Sequence, residues 1–370
     1  MLGERIKQLR LSKGFSLRAL AERMGCVSAQ AISNYENNKD VPSSPILLAL
    51  ADVLDVEVSS FFQRMSVPLG EPAYRKSAGM TEMKKQALQS CVAMQVERHL
   101  EAESLFSLAA HDTLDLPESV LNPLADVADA EDRACDLRRH WGLSDHPIEN
   151  LIELLEDQGI LVVCINTDGD FDGCTYPEAK IPVVVANDNR PGDRFRLNLA
   201  HELGHLVLRF SDVWSEKSRE AAAYRFAGAF LVPANRARAE LGDSRTSITV
   251  LELCELKLKY SLSVQAWIRR ARDLEILSDN AYRSLWKSLS VKGMARRELG
   301  GCYPLERTSR HRRLVARAYS DGRISESRAA ELLGLPMSEL SHVLMDDESN
   351  GDYCQSCAKA GLGSGERSLD

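Results

Sequence analysis

Two histidines four residues apart, His201 and His205, place the strongest constraint on what this chain can fold into. The segment around them, RLNLAHELGHLVLRF, contains no proline. Its apolar residues recur at helical spacing: Leu199, Leu203, Leu206 and Phe210. A helix puts both imidazoles on one face, one turn apart, where they can bind a single zinc ion. Glu202 then lies beside that ion, where it can act as a general base toward an attacking water molecule.

The third zinc ligand is less closely defined by these residues. In the arrangement HExxHxxGxxH, a glycine and a third histidine follow the second histidine, but this chain has Leu208 and Ser211 there. That class of site is excluded. The next helical segment offers Glu216 and Glu220, on a face with alanines that would let the two helices approach closely. Both glutamates are candidates on this pattern alone.

The N-terminal block, residues 1–65, consists of short helical patterns. Ser16 is a candidate N-cap for a helix that ends at Gly25, and a second short helix runs from about residue 28 to residue 36. The second helix directs apolar residues inward and leaves short polar side chains outward: Gln30, Ser33, Asn34 and Asn37. Amides and hydroxyls on such a face can pair with base edges in the major groove, so this helix is predicted to read DNA.

The charge distribution agrees with a local DNA-binding surface. A net charge of −8 argues against a chain that coats nucleic acid indiscriminately. Basic residues are concentrated in the first forty positions: Arg5, Lys7, Arg10, Lys13, Arg18, Arg23 and Lys39. Among them, Arg10 and Arg18 are the candidates for contacts with the DNA backbone. A small helical protein-docking module is the alternative interpretation of this block.

These patterns resemble two known families. Residues 1–65, including the stretch ISNYE at positions 32–36, resemble the XRE-type, or lambda-repressor-like, helix-turn-helix family. The region from FDGCTYPEAKIPVVVAND through RFRLNLAHELGHLVL to FAGAFLVP resembles the ImmA/IrrE family of metallopeptidase-like proteins. The second resemblance implies a bound Zn²⁺ and proteolysis of a regulatory protein, often a repressor partner.

The resemblance to ImmA/IrrE proteins also implies a set of site residues. The implied residues are His201, His205 and Glu220 as zinc ligands and Glu202 as the catalytic residue. Glu220 is favoured because the family's ligand helix places its glutamate six positions before Phe226, and Glu216 is the fallback. Many family members carry a further histidine where this chain has Arg209. That position is outside the three-ligand set, so the change bears on the pocket wall and leaves zinc binding intact.

Other residues near the predicted zinc site have less defined roles. The β-rich run from Pro182 to Ala186 is expected to supply an edge strand for an extended substrate. The candidates for stabilising an oxyanion near the zinc are Tyr176, Tyr224, Arg194 and Arg196. Nothing in the sequence ranks these four, and each can equally have a structural role.

A chain of 370 residues is too long for one small core and predicts two or three folded units. We expect a mainly α protein in which an all-α helix-turn-helix domain precedes an α+β zincin-like domain and a helical C-terminal region. The expected segments are the helix-turn-helix domain at 1–65, a helical linker or dimerisation segment at 66–124, the metallopeptidase domain at 125–235, the helical region at 236–345 and a disordered tail at 346–370. Cys354 and Cys357 form one CxxC in that tail, which is half a metal site or a pair of mobile thiols.

The function predicted from these patterns is a DNA-binding transcriptional regulator with a zinc-dependent, peptidase-like domain that processes or senses a signal. The expected partners are double-stranded operator DNA, read by a homodimer, and a protein or peptide such as a repressor or a toxin. One alternative is a protease recruited to DNA, and another is a non-catalytic, antitoxin-like repressor that grips its partner through the C-terminal region. Because no stretch is apolar enough to span a membrane, we expect a cytoplasmic protein.

Overall fold

The computed structural model describes residues 2–62, 69–71, 81–106, 114–167, 171–293 and 299–340. Within these ranges the chain is mainly helical and contains one small three-stranded sheet, which confirms the predicted fold class. The described helices include none that is long and apolar enough to cross a membrane. The predicted tail, with Cys354 and Cys357, lies outside the described residues.

The N-terminal helices form a compact unit with its own core. Its elements are α1 (Leu2–Ser12), α2 (Leu17–Met24), α3 (Ala29–Glu36), α4 (Ser44–Leu54) and a 3-10 turn (Val58–Phe62). Ser16 and Ser28 cap α2 and α3 by accepting hydrogen bonds from backbone N–H groups, and Gly25 ends α2 at a φ of 66°. Fully buried residues from all four helices meet in the centre: Ile6, Leu9, Leu20, Ile32 and Leu50.

A long helix, α5 (Glu82–Ser104), joins the N-terminal unit to the rest of the chain. Met94 belongs to the N-terminal core, whereas Val92 and Val96 pack against the sheet and Ala102 packs against the C-terminal helices. Arg5 on α1 also donates a hydrogen bond of 2.6 Å to Glu97. Helix α5 therefore packs against the N-terminal unit, the sheet and the C-terminal helices of the same chain.

The sheet contains β1 (Leu161–Ile165), β2 (Gly173–Tyr176) and β3 (Val183–Asn187) in the order β1-β3-β2. Strand β3 pairs in parallel with β1 and antiparallel with β2. The expectation that residues 182–186 form an edge strand is therefore wrong, because both edges of β3 are occupied. All five β3 residues are buried, which is typical of a central strand covered on both faces. The antiparallel edge strand is β2, which the sequence analysis missed.

The two faces of the sheet belong to different cores. On one face, side chains such as Cys174, Tyr176 and Val185 pack with residues of α5. The opposite face, with Val184 and Ala186, faces a large helical core. That core is built from α6 (Glu118–Leu121), α7 (Ala130–His140), α8 (Leu151–Asp157), α9 (Gly192–Val207), α10 (Glu216–Leu231), α11 (Ala234–Leu241), α12 (Val250–Tyr260), α13 (Val264–Asp273) and α14 (Asp279–Val291).

This large core runs without interruption across residue 235, where a domain boundary is predicted. Trp267 and Ile268 of α13 are fully buried together with Phe226 and Phe230 of α10. Beyond it, α15 (Arg310–Ser320) and α16 (Glu326–Leu333) form a separate pair that packs on α5. Before α15, Glu306 accepts a hydrogen bond from the Leu151 N–H group and pairs with Arg196 of α9. The C-terminal part of the chain thereby holds the start of α9 in place.

Candidate metal centre and DNA-binding surface

His201 and His205 lie one turn apart on α9, as the sequence predicts for a helix. Their Nε2 atoms are 3.0 Å apart, and their rings meet edge to face. His201 is only 6% exposed, because α9 is covered by the sheet on one side and by α10 on the other. Both imidazoles therefore direct a nitrogen into one small volume at the edge of the core.

Helix α10 brings Glu220 to the same point. Its carboxylate oxygens lie 3.5 Å from His201 Nε2 and 3.4 Å from His205 Nε2. The approach depends on Gly204, since a Cβ atom there would lie 3.0 Å from the Phe226 ring. Glu216 is exposed in the first turn of α10 and does not join this group. The geometry thus places Glu220 beside the two histidines.

The three side chains fit a zinc ion. Their ligand atoms all lie within 4.8 Å of one another. The two Nε2 atoms are 3.0 Å apart, Glu220 Oε2 lies 3.5 Å from His201 Nε2, and Glu220 Oε1 lies 3.4 Å from His205 Nε2. Zinc–ligand bonds of about 2.1 Å at tetrahedral angles place ligand atoms about 3.4 Å apart. Two imidazoles and one carboxylate also match the donor set of a catalytic zinc site, in which a fourth position stays open. The donor types and their close grouping therefore suit a zinc ion.

Glu202 lies next to this group and is itself 5% exposed. Room for its side chain is made by Gly173 at the start of β2, because a Cβ atom there would lie 3.0 Å from Glu202 Cγ. The same atom would also lie 2.7 Å from the carbonyl oxygen of Val185. Sequence reasoning missed Gly173. The one available signal was a glycine placed inside a short β-forming run, which often marks close approach by another group.

The four candidates for oxyanion stabilisation lie in different parts of the structure. Tyr224 stacks on His201 with ring centroids 4.0 Å apart, and burial raises the pKa of its phenol, which keeps the hydroxyl protonated. Arg194 lies on the same side and pairs with Asp172 at 3.0 Å. Arg196 is buried against Glu306, and Tyr176 packs on the opposite face of the sheet. Only Tyr224 and Arg194 are therefore placed near the metal centre.

A cavity of about 660 Å³ lies beside α9, and Tyr224, whose ring contacts His201, forms part of its wall. Arg194 and Asn198 line it. Asn198 lies three residues before His201, and Arg194 lies four residues before Asn198, so all three share one face of α9. Asn198 is 6% exposed, yet its Nδ2 atom has no hydrogen-bond partner among the described residues. The same holds, within the described ranges, for Nε1 of Trp286 on α14, which lines the cavity from the other side. Two buried N–H groups on residues that line the cavity thus have no partner among the described residues.

The DNA-binding candidates lie mostly on one exposed surface of the N-terminal unit. Gln30 is exposed on α3 and donates a hydrogen bond of 3.1 Å to Asn34, one turn further along. Ser33 and Asn34 are partly exposed, and Arg18 is exposed on α2. Ile32, on the opposite side of α3, is completely buried. The short polar side chains therefore project from a helix that the core holds firmly.

Arg10 departs from its expected place. Its guanidinium is buried, donates to both carboxylate oxygens of Glu36 and donates a further hydrogen bond of 2.7 Å to the Phe15 carbonyl oxygen. These contacts use three of its five N–H groups, and the side chain as a whole is withdrawn from the surface. The expectation that Arg10 contacts the DNA backbone is therefore corrected, and we assign it the role of holding α3 on α1. Burial of an arginine in the N-terminal basic run cannot be read from charge alone.

Comparison with known proteins gives the class of each part. Residues 6–61 match the helix-turn-helix family, and residues 155–272 match the IrrE N-terminal-like domain of the peptidase family M78. The chain thus contains one segment similar to a helix-turn-helix domain and one similar to the IrrE N-terminal-like domain. Both predicted resemblances are confirmed.

Among characterised proteins, the N-terminal domain is similar to the HTH-type transcriptional regulator SinR of Bacillus subtilis (strain 168). The two are 43% identical over 58 residues, which make up 16% of this chain and 52% of SinR. SinR of Bacillus licheniformis shows the same identity over the same length. The chain spans about half the length of these curated relatives.

Proposed function

We propose that this chain is a sequence-specific transcriptional regulator whose peptidase-like domain is a zinc metalloendopeptidase acting on a regulatory protein. The observation that carries the proposal is the convergence of His201, His205 and Glu220, whose ligand atoms lie within 4.8 Å of one another, with Glu202 beside them. A structural role alone does not explain why three metal-binding side chains and a further buried carboxylate gather at one point.

In this proposal, His201, His205 and Glu220 hold the zinc ion. Bound zinc supplies Lewis acidity, which lowers the pKa of water and polarises a carbonyl group. Glu202 accepts the proton of the attacking water and delivers it to the leaving amine. Gly173 supports this role, because any larger residue there would press against the Glu202 side chain. Tyr224 and Arg194 are placed to donate hydrogen bonds to negative charge that develops on the carbonyl oxygen.

The substrate is proposed to be a peptide segment that lies along α9 and enters the 660 Å³ cavity. Peptide carbonyl groups can accept hydrogen bonds from Asn198 Nδ2 and Trp286 Nε1, which have no partner among the described residues. The aromatic rings of Tyr282 and Trp286 and the side chain of Leu262 provide apolar walls for a large side chain. An extended, partly apolar segment of a regulatory protein fits this lining.

On the DNA side, α3 is proposed to read operator bases through Gln30, Ser33 and Asn34, while Arg18 contacts the backbone. Helix-turn-helix regulators bind two-fold related half-sites, so we propose that the protein reads its operator as a homodimer. Helix α5 connects this unit to the sheet next to α9. A change at the metal centre can therefore reach the DNA-binding unit through packed elements.

Replacement of Glu202 by glutamine tests whether the domain cuts or only senses. Glu202→Gln keeps the shape of the side chain and removes the base, so zinc should remain bound while hydrolysis of a quenched fluorescent peptide library falls by a factor of roughly 10² or more. Glu216→Gln, an exposed change in the next helix, is the matched control and should leave hydrolysis unchanged.

The same variant separates the two modes of regulation in the cell. If the domain cuts a repressor, Glu202→Gln should lock transcription in its uninduced state. The opposite result is normal induction in Glu202→Gln but no induction in variants of His201, His205 and Glu220. That result would contradict catalysis and assign the domain a metal-dependent sensing role.

A further inference from the structure

A second cavity, of about 400 Å³, lies away from the metal centre where four parts of the chain meet. Its wall includes Lys13 from the end of α1, Gln95 and Arg98 from α5, Val163 from β1 and Leu332 from α16. The cavity therefore touches the DNA-binding unit, the linker helix, the peptidase sheet and the C-terminal helices at once.

Arg98 is the unexplained group in this cavity. It is mostly buried, and it makes neither a hydrogen bond nor an ion pair with any residue that the structure describes. The nearby carboxylates are already engaged, since Glu331 accepts from Ser60 at 2.6 Å and Glu97 accepts from Arg5 at 2.6 Å. Burial consequently lowers the pKa of Arg98. Glu331 and Glu97 attract the Arg98 charge at longer range, but Arg98 donates to neither, so its N–H groups can bind a ligand in the cavity.

The local backbone also makes room for this guanidinium. Gly334, which follows α16 at a φ of 69°, lies against Arg98, and a Cβ atom there would be 2.5 Å from Arg98 Nη1. Leu332 and Met94 supply apolar surface around it. The arginine is thus held in a shaped, partly open site that lines the cavity.

Glu156 is a second polar group in the cavity without a full set of partners. Its Oε2 atom accepts a hydrogen bond of 2.9 Å from the Thr308 hydroxyl, but Oε1 is buried and has no partner within the described ranges. Burial raises the pKa of this carboxyl group, which favours its protonated form. Glu156 Oε1 and Arg98 are thus two polar groups at this cavity whose hydrogen-bonding capacity is not used by the described residues.

We propose that this cavity binds a small organic oxyanion, a carboxylate or a phosphate, through Arg98 with Lys13 at its rim. The planar fork of an arginine side chain matches both kinds of oxyanion. The volume lies within the roughly 300–1,000 Å³ range of small-molecule sites. The site is independent of the zinc chemistry, and a ligand there would contact the DNA-binding unit and the peptidase sheet together.

Binding of two probes to the full chain tests the proposal and separates its two forms. Citrate and AMP represent the carboxylate and the phosphate, and adenosine is the uncharged control. Isothermal titration in an anion-poor buffer should show binding of at least one charged probe with a Kd below about 1 mM and none of adenosine. Absence of binding by both charged probes would overturn the proposal.

Arg98→Met and a matched control locate the site. Arg98→Met should weaken binding at least tenfold, whereas Lys7→Met, which removes an exposed cation of α1 outside the cavity, should not. Without ligand, Arg98→Met should unfold at the same or a higher temperature than the wild type, because it removes a buried charge. Equal affinity in Arg98→Met would contradict the proposal.

A measurement on the unaltered protein locates the site even where Arg98→Met does not fold. Met94 lines the cavity, so its methyl resonance, assigned from the Met94→Leu spectrum, should shift on addition of the bound probe. A bound probe that leaves the Met94 resonance in place would lie elsewhere, and that result would also overturn the proposal.

Discussion

Arg10 and Glu36 form a buried, two-point ion pair that ties the first helix of the chain to the end of the proposed recognition helix. Arg10 Nε and Nη2 donate to the two carboxylate oxygens of Glu36 at 2.5 and 2.9 Å. Both side chains are less than a tenth exposed. Since α3 carries the base-reading side chains, this pair fixes the surface that meets DNA without contacting DNA itself.

Removal of one member of this pair should destabilise the N-terminal unit. Arg10→Ala leaves Glu36 buried and unpaired, so the free energy of unfolding should fall by about 3–5 kcal/mol in urea titrations. Lys7→Ala, at an exposed position of the same helix, is the control and should change it by less than about 0.5 kcal/mol. The contrary result is an Arg10→Ala protein that is as stable as the wild type and whose DNA binding depends less steeply on salt. That result would show that Arg10 contacts the DNA backbone after all.

The exposed side chains of α3 should control operator selectivity. Simultaneous replacement of Gln30, Ser33 and Asn34 by alanine should abolish selective footprints and leave the circular dichroism spectrum unchanged, because none of the three is buried. Arg18→Ala should weaken binding to all sequences and lower the salt slope by roughly one. Footprints that persist in the triple variant would refute the assignment of α3.

Stability should depend on pH through His311. Burial lowers the pKa of His311 to about 4, and its Nε2 atom bonds to the Leu332 carbonyl oxygen at 2.9 Å. The unfolded chain takes up this proton near pH 6.5, whereas the folded protein resists it. The free energy of unfolding should therefore fall between pH 6.5 and 4, and His311 alone should contribute a loss of about 2 kcal/mol at pH 5.

His311→Gln provides the comparison, because its amide can still donate to Leu332. Between pH 7.5 and pH 5, the free energy of unfolding of the variant, measured in urea, should fall by about 2 kcal/mol less than that of the wild type. Identical losses in both proteins would show that His311 is not held neutral by its surroundings.

Asn198 should contribute to peptide binding and not to zinc binding. Asn198→Leu preserves the approximate volume and removes the unpartnered donor, so affinity for cleavable peptides should fall about tenfold while zinc content stays constant. Ser288→Ala, an exposed change outside the cavity, should leave peptide affinity unaltered. Unchanged peptide affinity in Asn198→Leu would remove the cavity from the substrate path.

Local patterns in the sequence were sufficient for much of this architecture. The helical spacing around His201 and His205, the serine caps of α2 and α3, and two of the three strands follow from short-range periodicity and capping. Selection of Glu220 over Glu216 needed the family resemblance, because both lie on one face of α10.

Long-range packing accounts for what the sequence did not reveal. Arg10 became buried because Glu36, 26 residues away, meets it in the core. The run at 182–186 became a central strand because β2, which is short and begins with Gly173, pairs along its free side. The available space at Gly173 is defined by Glu202 on another element, so no local pattern could assign it.

The zinc content of matched variants tests the central claim most directly. Purified protein should hold about one zinc ion per chain by mass spectrometry of the metal, and Glu202→Gln and Glu216→Ala should retain it. Glu220→Ala should lose most of it, because one of the three proposed ligands is removed. Full zinc content in Glu220→Ala, or its loss in Glu216→Ala, would contradict the site built from His201, His205 and Glu220.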